Sequence, residues 1–172
     1  MTVNNVAFVF PGQGSQSVGM LADCAAEPLV QQTFAEASQV LGYDLWQLIS
    51  QGPVEALNKT HQTQPALLVA SVALYRLWLQ RGGVLPAVMA GHSLGEYSAL
   101  VCAGVLDFAA AVKLVEQRGI FMQDAVPLGS GGMAAILGLD DDKVRDVCAA
   151  SAQGEVVAAV NFNSPGQVVI AG

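Results

Sequence analysis

Residues 91–95 read Gly-His-Ser-Leu-Gly, set between an apolar run and a stretch of helical period. In that setting G-x-S-x-G is a nucleophile elbow, a sharp strand-to-helix turn that lifts a serine hydroxyl off the end of a sheet. The turn crowds backbone against backbone, so positions two before and two after the serine must lack bulk. Gly91 and Gly95 stand there. Ser93 then lies over a helix N-terminus, where free N–H groups and the helix dipole favour developing negative charge. A plain strand-to-helix turn is the bland alternative. His92 should project away from Ser93, because successive side chains alternate on leaving a strand. A packed or hydrogen-bonded supporting place suits it better than that of general base.

A second loop, Phe-Pro-Gly-Gln-Gly-Ser-Gln at 10–16, ends the first apolar run. It is not a nucleotide loop. After Gly12 and Gly14 a dinucleotide fingerprint needs glycine at 17, where Ser17 stands, and no lysine precedes Lys59 to make a phosphate-binding Gly-Lys pair. What remains is a loop at the carboxyl end of a strand, the edge where open α/β sheets place their sites. If that strand lies beside the elbow strand, the loop's N–H groups approach Ser93. Serine acyl chemistry needs two such donors for a tetrahedral oxyanion. Leu94, following the nucleophile, supplies one and a neighbouring βα loop the other.

Arg118 is the third candidate. Phe108, Ala111, Val115, Arg118 and Met122 fall on one face at helical spacing. An arginine in such a stripe either snorkels to water or holds a carboxylate in a bidentate pair.

The elements that must position these residues follow from pattern. Val6–Phe10 and 86–91 are continuous apolar runs, as expected of strands buried on both faces. Residues 30–41, 65–80 (with Pro65 in the first turn), 94–104 and 107–126 have helical period. Alternation of strands and helices predicts an α/β fold with a mostly parallel sheet. Beyond Pro127, Leu-Gly-Ser-Gly-Gly at 128–132 reads as a flexible joint. Strand, helix, strand, strand follow, with Asp140 or Asp141 as N-cap and a turn at 164–166. Two domains are expected, 1–126 and an incomplete α+β unit at 127–172.

The bulk numbers exclude several classes. The 172 residues are 53% hydrophobic and 12% charged, with a formal net charge of −7. A large core is affordable, and a nucleic-acid partner is disfavoured. No signal peptide is evident, and the most apolar stretch, 65–80, carries Arg76 and is too short for a membrane span. Three unclustered cysteines fit buried free thiols in a cytoplasmic protein, without disulfides or a metal site.

Together, 10–16, 91–104, Gln-Arg-Gly at 117–119 and 161–172 resemble the malonyl-CoA:acyl carrier protein transacylases of bacterial fatty acid synthesis, motif by motif along the whole chain. The resemblance implies an α/β-hydrolase-like large subdomain and a ferredoxin-like small one. It implies that Ser93 takes malonyl from malonyl-CoA and passes it to the phosphopantetheine thiol of acyl carrier protein. The N–H groups of Gln13 and Leu94 would form the oxyanion hole, and Arg118 would pair with the malonyl carboxylate. Gln64, His92, Met122, Asn161 and Asn163 would line the cleft, although strand-end capping is an equal reading of the asparagines. No cofactor or metal is implied, and a monomer is expected for a full-length enzyme. The family's base is a histidine in its second half. The two histidines here, His61 and His92, do not match it, and His61 is expected in a loop without a chemical role. The sequence is therefore expected to be the N-terminal portion of a longer protein, inactive alone. A serine esterase or thioesterase would share the elbow but would have no use for Arg118. A non-catalytic fragment binding a carrier protein is the other alternative.

Overall fold

The apolar run before Pro11 forms strand β1 (Ala7–Phe10), and the run before the elbow forms β2 (Val88–Gly91). The computed structural model describes residues 6–126 and 129–172, so the expected boundary at Pro127 and the first residue of the joint lie outside the described residues. The two strands pair in parallel, with Ala7 opposite Val88 and Phe10 opposite Gly91. Both end at the same level, which sets the loop after β1 beside the elbow after β2. Parallel neighbours need a long crossover. Helices α1 (Pro28–Leu41), α2 (Leu45–Gln51), α3 (Val54–Leu57) and α4 (Thr60–Gln80) fill it. Past the elbow come α5 (Leu94–Cys102) and α6 (Phe108–Ala125). Local chemistry sets several of the limits. Asp44 Oδ1 accepts the Gln47 N–H at 2.8 Å and Asp107 Oδ1 the Ala110 N–H at 2.9 Å, capping α2 and α6.

Helix α4 is the centre of the first unit. Every residue from Thr63 to Ala73 is buried, as its apolar character on all sides requires. Phe34 of α1, Leu45 and Ile49 of α2, and Val112 and Val115 of α6 are fully buried in the same cluster. The helix starts five residues earlier than its proline suggests. Pro65 is the sixth residue of the helix, past the turn in which the Gln62 and Thr63 N–H groups donate to the Lys59 carbonyl at 2.8 Å, and its ring nitrogen forgoes one bond, to the His61 carbonyl. Upstream of it, Thr63 Oγ1 donates to the Leu57 and Lys59 carbonyls at 2.5 and 3.1 Å, holding the extra turn. His61 consequently lies on the helix, not in a loop.

The strands also depart from expectation. Phe8 meets Tyr75 and Trp78 of α4 edge-on, with ring centroids 5.6 Å apart in each pair. On the other face Val9 and Val88 are 79% and 61% exposed. Among the described residues no layer covers that face, so the strands are buried on one side only. Of the cysteines only Cys148 is buried; Cys24 and Cys102 are half-buried, and all are free. Burial pushes the Cys102 thiol up to about 12, against the opposing pull of Arg76. No helix of the described residues is long and apolar enough to cross a membrane.

The chain divides between Gln123 and Asp124. The second unit contains β3 (Met133–Leu137), α7 (Asp141–Ser151), β4 (Ala158–Ser164) and β5 (Gln167–Ala171). The sheet is antiparallel in the order β3-β5-β4. Val144 and Cys148 of α7 pack on Val168, Ile136 and Ile170. Pro165 and Gly166 turn β4 into β5, and the φ of 73° at Gly166 suits the second central place of a type II turn. Asp140 holds the N-cap position of α7, but its side chain makes no cap bond. Its carboxylate instead stands 3.5 Å from Lys143 Nζ.

Leu68 is fully buried at the middle of α4. Leu68→Ala should cost about 2–5 kcal/mol in urea unfolding, whereas Val9→Thr on the open face of β1 should change stability by less than about 0.5 kcal/mol.

Candidate active site

The elbow is built by backbone touching backbone. Ser93 sits at the N-cap of α5 with φ 55° and ψ −112°, a conformation that a residue with a side chain adopts only under constraint. The constraint is visible at both glycines. A Cβ on Gly91 would stand 2.0 Å from the Gly95 carbonyl carbon, and one on Gly95 would stand 2.2 Å from the Phe10 carbonyl oxygen. The turn therefore closes on itself and at the same time seats against the end of β1. The loop after β1 continues along the elbow, where a Cβ on Gly12 would come within 3.1 Å of the His92 carbonyl oxygen.

That loop is held open-ended toward the serine. Ser15 Oγ donates to the Gly12 carbonyl at 2.9 Å, and the Gly14 N–H donates to Gln16 Oε1 at 2.8 Å. Two side chains then hang it from the junction of α3 and α4: Gln16 Nε2 donates to Asn58 Oδ1, at the C-cap of α3, at 2.9 Å, and Gln13 Nε2 to Thr60 Oγ1 of α4 at 3.4 Å. The Gln13 and Leu94 N–H groups donate to no backbone carbonyl among the described residues. They lie just past the carboxyl ends of two adjacent parallel strands.

Arg118 reaches the serine directly. Its Nη2 donates to Ser93 Oγ at 3.0 Å and its Nη1 to Gln64 Oε1 at 2.7 Å. The guanidinium carbon lies 5.6 Å from the Tyr97 ring centroid. Gln64, fully buried, donates its Nε2 to Met122 Sδ at 3.2 Å. Ser93, Arg118, Gln64 and Met122 thus form one chain of contacts.

The helical stripe holds for Phe108, Ala111 and Val115, which are buried. Arg118 is half-buried and Met122 is 47% exposed, because that last turn passes the end of the α4 core. His92 is exposed and its ring makes no hydrogen bond among the described residues, contrary to a packed or bonded support. Its Nδ1 stands 4.0 Å from where a Gly12 Cβ would be. Asn161 and Asn163 belong to the second unit. Asn161 lies opposite Val169, and Asn163 falls at a break in strand register between Phe162 and Ser164. Sequence reasoning missed Tyr97, although its spacing four residues after Ser93 marks the same helix face. It also missed Asn58 and Thr60, which no local pattern announces.

Residues 7–172 match the model of the acyl transferase domain family. The chain belongs to that family. It is 73% identical over 167 residues to the malonyl CoA-acyl carrier protein transacylase of Escherichia coli K12, covering 96% of this chain and 54% of the relative. Against the enzyme of that name in Bacillus subtilis 168 it is 45% identical over 172 residues. Among solved structures, the malonyl-CoA:acyl carrier protein transacylase of Xanthomonas oryzae pv. oryzae superposes with a TM-score of 0.94 at 57% identity, over all of this chain and 55% of that one. A malonyl-transacylase in complex with a type II polyketide acyl-carrier protein gives 0.93 at 66% identity, over 98% and 55%. The chain spans about half the length of the curated relatives it matches. Within this acyl transferase domain the elbow, the glutamine loop and Arg118 all lie in the first unit.

Because the atoms facing Gly95 are backbone atoms of Phe10 and Pro11, no rotamer change can make room for a side chain. Gly95→Ala should destabilise the first unit by about 1–3 kcal/mol in urea unfolding and displace the Ser93 hydroxyl, read as loss of its hydrogen bond to Arg118 in a crystal structure of the variant.

Proposed function

We propose that the chain carries the acyl-accepting machinery of a malonyl-CoA:acyl carrier protein transacylase. Ser93 Oγ attacks the thioester carbonyl of malonyl-CoA. The N–H groups of Gln13 and Leu94 take the oxyanion, the C–S bond breaks, and coenzyme A leaves as the thiol once protonated. The malonyl-serine ester is then attacked by the phosphopantetheine thiol of acyl carrier protein, which restores the serine. The observation that supports this reading above all is the 3.0 Å contact between Arg118 Nη2 and Ser93 Oγ. In a malonyl ester of Ser93 the free carboxylate lies two carbons beyond the ester carbonyl. A guanidinium already within hydrogen-bond reach of Oγ can turn to meet it. An acetyl ester would leave the guanidinium without that partner, which selects against acetyl. An esterase gains nothing from such a cation.

The proton of Ser93 needs an acceptor. Arg118 is a permanent cation, and neither His61 nor His92 hydrogen-bonds Oγ. The base in this reading is a histidine outside these 172 residues. The first unit then corresponds to part of an α/β-hydrolase-like subdomain, assigned to 1–126, and the β3-β5-β4 sheet with α7 to the start of a ferredoxin-like one at 127–172. A soluble cytoplasmic enzyme working without metal or cofactor is the setting.

Incubation with malonyl-CoA followed by intact-mass analysis tests the reading. A malonyl adduct should form on Ser93 and vanish in Ser93→Ala; no adduct on the parent chain would favour an inert fragment. Arg118→Ala should lose malonyl adduct at least about tenfold more than acetyl adduct, and equal losses would undo the role of Arg118. Steady transfer to acyl carrier protein should stay far below that of a full-length relative, and comparable turnover would refute the missing base.

A further inference from the structure

Gly119, which ends the Gln-Arg-Gly motif, has no part in the chemistry above. It lies inside α6, where glycine is worth about 1 kcal/mol less than alanine. Its surroundings give the reason. A Cβ there would stand 2.5 Å from His61 Cα, 2.7 Å from His61 N and 2.8 Å from the Thr60 carbonyl oxygen. All three are backbone atoms of the first turn of α4. Side-chain motion cannot relieve the clash, so a methyl group must move one helix away from the other.

What that seat positions is next to it on both helices. Arg118 precedes Gly119 on α6, and Gln64 stands one turn after Thr60 on α4. The Arg118–Gln64 bond of 2.7 Å therefore bridges the two helices immediately beside their closest approach. Gln64 is fully buried and tied at its other end to Met122 Sδ, so it cannot follow a guanidinium that moves off. We propose that Gly119 is a positioning residue for Arg118: its bare Cα seats α6 on the first turn of α4 at the separation where the Gln64 amide fixes the guanidinium against Ser93. The idea rests on the reading of Arg118 as the malonyl carboxylate's partner. It adds that this selectivity is set by helix separation, through a residue that touches no substrate.

The test uses the chain labelled with 15N-arginine, the Arg118 Nε–H resonance being assigned by its loss in Arg118→Lys. In the parent, the Arg118 side-chain signals should show hindered guanidinium rotation and should move on titration with malonate. In folded Gly119→Ala they should revert to those of a free arginine, and malonate affinity should fall at least about tenfold, as expected for a displacement near 1 Å. Parental Arg118 signals and parental affinity in a folded Gly119→Ala chain would overturn the proposal. If that variant does not fold, Gln64→Leu, which keeps the seat and cuts the tether, decides: free signals support the proposal and parental ones overturn it. Should malonate leave the parent resonance unmoved while Gly119→Ala still frees the guanidinium, positioning stands and the carboxylate assignment falls.

Discussion

The site depends on one steric fact: the Phe10 carbonyl oxygen stands where a side chain at position 95 would begin, 2.2 Å from its Cβ. This backbone contact fixes the elbow relative to β1. Parallel pairing alone would bring the two strand ends level but would leave the loops beyond them free to diverge. With Gly95 seated on Phe10 and Gly12 close to the His92 carbonyl, the loop of Gln13 and the turn of Ser93 share one wall. The strained dihedral angles of Ser93 persist because both flanking glycines are pinned, and the strain keeps the hydroxyl clear of the helix it caps.

Helix α4 carries the other half of the arrangement. Its middle is apolar on every side and anchors the core, so its N-terminal end is a rigid platform. Three things are attached there: the opening loop through Thr60, α6 through Gly119, and the guanidinium through Gln64. A buried amide is costly unless its donors and acceptor are engaged. Gln64 meets that demand with a thioether on one side and a cation on the other, neither of which a plain packing residue would require.

The elbow was legible because its chemistry is local: glycine, serine and glycine at fixed spacing admit few backbone paths. The strand–helix–strand–strand order after 132 was equally open to reading, since the period of each segment is short and unbroken. Three features were not legible. Pro65 looked like a helix start because proline is favoured there, yet Thr63 and the short helix before it extended α4 by a turn. The runs at β1 and β2 predicted cover on both faces, which depends on what packs against them and not on the runs themselves. The direction of Arg118 could not be derived from its stripe, because snorkelling and clamping give the same period; only the tertiary partner, Gln64, decides between them.

Charge gives the last constraint. The chain is acidic, with 14 carboxylates against seven Lys and Arg. Arg76, Arg81, Lys113, Lys143 and Arg145 each stand within ion-pair distance of a carboxylate. Lys59 is exposed, where water solvates it. Arg118 differs from both groups. It is half-buried and its hydrogen-bond partners, Gln64 and Ser93, are neutral. In an acidic chain a carboxylate could readily have been placed opposite it. A neutral cradle instead leaves the full charge available beside the Ser93 hydroxyl, so on the proposed reading an incoming carboxylate would gain the whole charge-assisted pair without first displacing an internal one. By the same reading a neutral acyl group would be a poor occupant, because it would desolvate the cation and return nothing. In the proposed function, selectivity would come from the carboxylate that the fold leaves out.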